Sequence, residues 1–389
     1  MFCCVYSYPG QLFDSQYVKK NEDNLTLIMS TTRRKFLQLI GLESFSLLLI
    51  GKGAMPATTS EPAVNFVRNE ALPTILEGYK GNPMIDGRFV NTNLSVSGAP
   101  FSSILKWFTS SNPQKEEKDN EKYSIPLHNI SDLNSIKEDC IIWLGHAAFL
   151  FHLGGKLLLT DPCLTSPAFQ KRFTPLPIPI SELLVDYLLI SHGHYDHLDS
   201  TTISELPSKN MTALVPLKMG DLIRSMNKNI QVHEAGWYQE FPLHNETFRI
   251  YFLPAQHWYL RVPWDRNKIL WGSFMLEYKG KYFYFAGDTA SAEHFSQITA
   301  LFPSIDYCIL PIGAYKPEYV MKTNHTNPEE AVRAFHALQG KTLIPMHYGT
   351  FDLADEPRSE PIRLLKQIES EGRINGVLKI PEIGQVILI

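Results

Sequence analysis

Residues 191–199 read SHGHYDHLD, so three of the 13 histidines in this 389-residue chain stand within nine positions, together with two aspartates. His192, His194, Asp196 and His197 form an H-x-H-x-D-H array directly after the apolar run VDYLLI. In extended chain, side chains two apart point the same way, so His192 and His194 can converge on one cation while the following turn carries Asp196 and His197 to a second. Imidazole and carboxylate are donors that zinc accepts. The competing reading, a polar loop of solvated histidines, leaves the spacing unexplained. One loop cannot saturate two cations, and further ligand types stand singly at the ends of other apolar runs: His257 after FLPAQ, Asp288 after YFYFAG and His347 after LIPM. A pair of cations held this way acidifies a shared water and clamps the attacking and leaving oxygens of a displacement, so the expected chemistry is hydrolytic.

The elements that must position these residues are legible as short β-type runs. DCIIWL (139–144), AAFLFHL (147–153) and KLLLT (156–160) read as strands, with Gly154-Gly155 turning the last two into a hairpin. Further strands are expected at 187–191, 247–253, 273–278, 281–286, 306–311 and 342–346. The clearest helix is NPEEAVRAFHALQG, where Asn327 caps, Pro328 takes the first turn and Gly340 ends the run. Many strands with intermittent helices predict packed sheets covered by helices over 139–389. Residues 58–138, rich in Pro, Gly, Asn and Ser and carrying the charged run QKEEKDNEK, read as an irregular arm without a core of its own.

The first 57 residues form an extension of another kind. TTRRKFLQLIGLESFSLLLI (31–50) puts Arg33 and Arg34 before a short apolar stretch, the layout of a twin-arginine export signal, with Met29 as the expected start of translation. A periplasmic or membrane-associated protein is expected; an uncleaved membrane anchor is the alternative. The net charge of −4 and the lack of a dense Lys/Arg block in the body of the chain argue against a nucleic-acid partner. Five scattered cysteines without a C-x-x-C spacing indicate neither a disulfide framework nor a cysteine zinc site.

Denser motifs surround the ligand-type residues: WLGHAAFLF (143–151), LTDPCL (159–164), ISHGHYDHLD (190–199), PAQHW (254–258), NKILWGSF (267–274), FAGDT (285–289), PIGAYKPEYVMK (311–322), HTNPEEAVRAFHALQ (325–339) and MHYGTFDLADEP (346–357). With these the chain resembles the N-acylphosphatidylethanolamine-hydrolysing phospholipase D family of the metallo-β-lactamase superfamily, over about Phe89 to Pro361. The resemblance implies an α/β fold, a four-layer αβ/βα sandwich. It implies that His192, His194 and His257 hold one zinc, that Asp196, His197 and His347 hold the other, and that Asp288 bridges them, iron or manganese being the alternatives to zinc. A metal-bridging hydroxide would attack the phosphorus of an N-acylphosphatidylethanolamine, giving N-acylethanolamine and phosphatidic acid. Asp196 and Asp288 carry catalytic roles in this reading, and His325 faces the scissile phosphate. Tyr195, Trp258 and Tyr315 join His325 as expected substrate contacts. His146 and Asp161 are candidates for orienting the ligands. A lipid substrate implies a membrane surface as partner, and 175–184 and the aromatic run at Trp258, Tyr259 and Trp264 are the candidate apolar approach. A homodimer is a further expectation. Two other readings stand beside this one: a hydrolase of the same fold acting on a small soluble phosphodiester or lactone, and a zinc-stabilised binding protein.

Overall fold

The computed structural model describes residues 63–389 apart from 94, 96, 168, 169, 208, 209, 244 and 263, so the expected export signal at 31–50 lies outside the described residues. The arm carries three short strands, β1 (Asn65–Val67), β2 (Asn82–Ile85) and β3 (Arg88–Phe89), which pair antiparallel in a small sheet. Two helices, Phe101–Thr109 and Lys115–Asn120, complete it. The arm is thus more regular than its Pro- and Gly-rich text suggests, because its elements close on the body: Ile75 donates its N–H to Tyr238 and Phe89 donates to Asn267.

Two seven-stranded sheets form the body. The first contains β4 (Cys140–Gly145), β5 (Ala148–Leu153), β6 (Lys156–Thr160), β7 (Tyr187–Leu189), β8 (Thr212–Pro216) and β9 (Gln231–Ala235), with β17 (Val386–Leu388) beside β4. The second contains β10 (Gln239–Glu240), β11 (Phe248–Leu253), β12 (Ser273–Tyr278), β13 (Lys281–Phe285), β14 (Tyr307–Pro311), β15 (Thr342–Met346) and β16 (Val377–Leu378) in that order. Both sheets run antiparallel as far as β6 or β13 and parallel beyond it. Every expected strand is present. The short β8, β9, β10, β16 and β17 go beyond the expectation.

The sheets pack face to face. Phe149 meets Phe285 and Phe151 meets Phe283 across the interface, with ring centroids 6.4 and 6.2 Å apart. Every residue of β4 is buried, which its unbroken apolar text CIIWLG anticipates for a strand covered on both faces. On the outer face of the first sheet, Ile203 and Ile223 from the helices Ser200–Glu205 and Gly220–Met226 join a second core. The outer face of the second sheet is covered by His294–Leu301, Pro328–Ala337 and Glu360–Ser370. Helix, sheet, sheet and helix make the four-layer αβ/βα sandwich. The helix Pro328–Ala337 starts where the sequence marks it: Asn327 accepts from the Glu330 N–H while the Glu330 side chain accepts from Asn327 N–H, a capping box.

Ile178, Ile180 and Leu183 of the stretch 175–184 are buried in the second core, so much of their apolar text serves packing, and Leu184 is the large hydrophobic side chain of the stretch that is well exposed. Tyr259 is likewise core: its hydroxyl donates to Asp265 and its ring fills the space a Cβ on Gly193 would need. Among the described residues no helix is long and apolar enough to cross a membrane.

Candidate metal centre

The ligand-type residues leave the same end of both sheets, each just beyond a strand. His146 follows β4, Asp161 follows β6 and the SHGHYDHLD loop follows β7; His257, Asp288 and His347 follow β11, β13 and β15. His146, Asp161 and His347 all hold positive φ, at 56°, 33° and 63°. Such backbone costs on the order of 1–3 kcal/mol per residue and persists where the surroundings impose it, which is common at functional sites. Gly287 (φ 58°) brings the loop of the second sheet onto that of the first: a Cβ there would lie 2.6 Å from the Ser191 Cβ.

Two groups of donor atoms result. In the first, His192 Nε2 lies 2.9 Å from His194 Nδ1, and His257 Nε2 lies 3.2 Å from the same atom. Asp288 Oδ2 stands 4.0 and 3.8 Å from Nε2 of His192 and His257. In the second, Asp196 Oδ2 stands 3.8 Å from His197 Nε2 and 3.6 Å from His347 Nε2. Asp288 reaches this group too, with 3.2 Å from Oδ2 to His197 Nε2 and 3.0 Å from Oδ1 to His347 Nε2. A tetrahedral ion with metal–nitrogen bonds of about 2.0–2.1 Å spaces its ligand atoms roughly 3.3 Å apart, so these separations suit a shared cation. The buried atoms support that fit: His197 Nε2, Asp288 Oδ1 and His347 Nε2 have no hydrogen-bond partner although they lie side by side. Their lone pairs converge on common space.

The opposite ring nitrogens are held. His197 Nδ1 is 2.7 Å from Asp161, whose carboxylate also accepts the N–H and hydroxyl of Ser191 at 2.7 and 2.6 Å. Ser191 Oγ in turn meets His192 Nδ1 at 2.9 Å, and the Asn324 carbonyl accepts from His257 Nδ1 at 2.9 Å. Each bond fixes the tautomer that leaves Nε2 free for a cation. The sequence points to Asp161 but not to Ser191, and a backbone carbonyl such as that of Asn324 leaves no mark in a sequence at all.

Electrostatics divide the groups. Burial first, and then the neighbouring His257, holds His194 down to about 3; burial also pushes His257 down to about 4, against the pull of Asp288. For His197 burial acts the same way, but Asp288, Asp196 and Asp161 outweigh it and carry the ring well above its ordinary value. His347 is raised by Asp288 and Asp196 despite its burial. Both aspartates stay far below the usual carboxylate range, since the surrounding histidines outweigh burial. A divalent ion held here would answer the charge demand that the two carboxylates place on His197 and His347.

All seven expected ligands therefore meet. His325 stands beside them, Nδ1 3.6 Å from Asp288 Oδ2. His146 is nearer than an outer residue need be: its Nε2 lies 3.2 Å from Asp196 Oδ2, and its ring centroid is 4.0 Å from that of His347. Trp258 sets its ring across His194 at 5.1 Å. Tyr195 is turned to a scaffold task, its hydroxyl donating to the Arg261 carbonyl and its ring covered by the Arg261 guanidinium, which itself donates to the carbonyls of Gly193 and Leu198. Tyr315 is buried and donates to Glu360 at 2.6 Å; among the described contacts none joins it to the cluster. His294 is buried with Nε2 3.2 Å from Thr289 Oγ1, next to Asp288 in sequence.

Residues 157–348 match the Beta-lactamase superfamily domain. A metallo hydrolase from the archaeon Ignicoccus hospitalis shares the fold at 22% identity and a TM-score of 0.50, over 65% of this chain and 99% of that one. Fold, matched domain and converging donors define a metal-dependent hydrolase of the metallo-β-lactamase superfamily. The chain is 31% identical over 333 residues to N-acyl-phosphatidylethanolamine-hydrolyzing phospholipase D 1 of Caenorhabditis elegans, covering 80% of this chain and 92% of the relative. The mitochondrial enzyme of the same description from Saccharomyces cerevisiae is 32% identical over 255 residues, 62% of this chain and 54% of that protein. The chain belongs to the N-acylphosphatidylethanolamine-hydrolysing phospholipase D family.

Proposed function

We propose that the protein hydrolyses N-acylphosphatidylethanolamine to N-acylethanolamine and phosphatidic acid, with His192, His194 and His257 holding one divalent ion, Asp196, His197 and His347 a second, and Asp288 both. Zinc suits the nitrogen-rich donor set, and iron or manganese would be accepted by the same atoms. The observation that carries the reading is Asp288, whose Oδ2 faces histidines of both donor groups and whose Oδ1 faces His347, while 31% identity to a phospholipase D of this substrate runs through 80% of the chain. When bound, such a pair of ions lowers the pKa of water and neutralises the oxygens of a phosphodiester.

The protein's own residues do the rest. Asp161, Ser191 and the Asn324 carbonyl keep the ligand rings aimed. His325, half-buried beside Asp288, is the residue we assign to hand a proton to the departing ethanolamide oxygen. The balance is one water consumed: its oxygen bonds to phosphorus, the phosphorus bond to the ethanolamide oxygen breaks, and a proton ends on that oxygen. Tyr195 shapes the ligand loop, and Trp258 offers the substrate an apolar wall. Trp264, 68% exposed on the loop after His257, is the side chain we assign to contact with a bilayer surface.

The test is turnover of N-acylphosphatidylethanolamine vesicles in oxygen-18 water, beside a water-soluble diester. The expected result is phosphatidic acid carrying the label, lost on chelation and restored by added metal. Label in the ethanolamide, or turnover of the soluble diester alone, overturns the reading. Trp264→Ala is expected to weaken vesicle binding while leaving hydrolysis of detergent-dispersed lipid intact.

A further inference from the structure

We infer that Asn91, in the N-terminal arm, is a positioning residue for His257, and that the arm is through it a working part of the metal centre. The inference rests on the reading of His257 as a ligand. Asn91 is 1% exposed and uses every polar atom of its side chain. Its Oδ1 accepts the backbone N–H of His257 at 3.2 Å and the indole N–H of Trp271 at 3.3 Å. Its Nδ2 donates to Ser97 Oγ at 2.8 Å and to the Ser95 carbonyl at 3.2 Å. Two acceptor sites and two donors are the full capacity of an amide, so its orientation is determined.

The same turn of the arm grips the neighbouring residues. Gln256 donates to Ser95 Oγ and Ser97 Oγ at 3.1 and 3.3 Å. At the far end of the loop Arg266 donates to the Ser97 carbonyl at 2.9 Å, and the Phe89 N–H donates to Asn267 at 2.8 Å. Residues 256–267 are thus pinned at both ends by residues 89–97. A loop left to itself samples many conformations. Here the His257 main chain is fixed by Asn91 and its Nδ1 by the Asn324 carbonyl, so Nε2 has one direction left. Removing the Asn91 amide leaves a buried N–H without an acceptor and unties the ring from the arm. Among the described contacts Asp196, His197 and His347 touch no residue of the arm, so the effect belongs to the first donor group alone.

The experiment titrates the metal-free full-length protein with Zn2+ against a chromophoric chelator, resolving two binding events. His257→Ala is expected to abolish one event. Asn91→Ala is expected to weaken that same event by about 10- to 100-fold, the scale of losing an outer partner of a metal ligand, and to leave the other unchanged. Ser97→Ala, which removes one acceptor from Asn91 and one from Gln256, should weaken it several-fold and serves if Asn91→Ala does not fold. Wild-type titrations for Asn91→Ala and Ser97→Ala, or equal weakening of both events, overturn the inference while the ligand reading stands. Two intact events in His257→Ala overturn the ligand reading itself.

Discussion

The two sheets share one pattern of pairing but contribute to the centre in opposite ways. Counted from the antiparallel edge, β4 matches β11, β6 matches β13 and β7 matches β14. Asp161 and Asp288, each just beyond β6 or β13, therefore occupy corresponding places. Asp161 is wholly enclosed and spends its carboxylate on Ser191 and His197, both from its own sheet. Asp288 has an oxygen without a hydrogen bond and faces histidines from both sheets. The first sheet concentrates four ligand-type residues in one loop and needs an internal carboxylate to hold them. The second offers single ligands at separate strand ends, each stiffened by the sheet. One topological position thus serves as brace in one half and, in the proposed reading, as bridge in the other, and what decides is whether neighbouring donors have already claimed the carboxylate.

The sharpest way to break this comparison is to neutralise each aspartate in turn. Asp288→Asn should lower kcat by at least about a thousandfold, the scale of removing a central electrostatic element, with thermal unfolding little changed. Asp161→Asn should keep the site assembled but weaken metal binding about 10- to 100-fold, as loss of an outer-shell partner does. Comparable losses from both substitutions would mean that the two positions are not differentiated. Direct metal analysis with single-turnover kinetics separates the outcomes.

Acid should distinguish the donor groups next. His194 at about 3 and His257 at about 4 are already neutral above pH 5, so binding at the first group displaces no proton from them and is expected to stay flat there. His197 and His347 are raised, hence protonated to higher pH, and a cation must displace those protons. Affinity at the second group should therefore rise with pH through the neutral range by about tenfold per unit for each proton released, and fall first on acidification. Isothermal titrations in buffers of different ionisation enthalpy count the protons. Equal slopes at both groups would contradict the assignment. At His325 the effect is on turnover alone: His325→Gln should lower kcat by about 10²–10⁴-fold, the scale of a general acid, and leave metal content intact, which tests proton delivery apart from binding.

Much of this was legible in the residues. H-x-H-x-D-H announces itself because four ligand-type residues share one loop, and the nine expected strands follow from apolar runs long enough to be buried on two faces. His257, Asp288 and His347 could be read because each follows such a run. What escaped has a physical reason in each case. The edge strands β16 and β17 are two and three residues long and partly exposed, so they lack an apolar signature. Tyr259 and the stretch 175–184 look like a lipid approach because apolar text does not say which body it packs on. Asn91 reaches His257 across 166 positions of sequence through an amide and a main-chain N–H, a pairing that leaves no local pattern. The differing tasks of Asp161 and Asp288 depend on which donors surround them, and that is fixed only when the sheets close.

The central claim is that one carboxylate joins two cation sites drawn from the two sheets. Anomalous scattering from crystals of the zinc-loaded protein, recorded on both sides of the zinc edge, tests it most directly. The expected result is two peaks about 3.5–4 Å apart with Asp288 between them, His192, His194 and His257 around one and Asp196, His197 and His347 around the other. A single peak, or two peaks without Asp288 as common ligand, would contradict it.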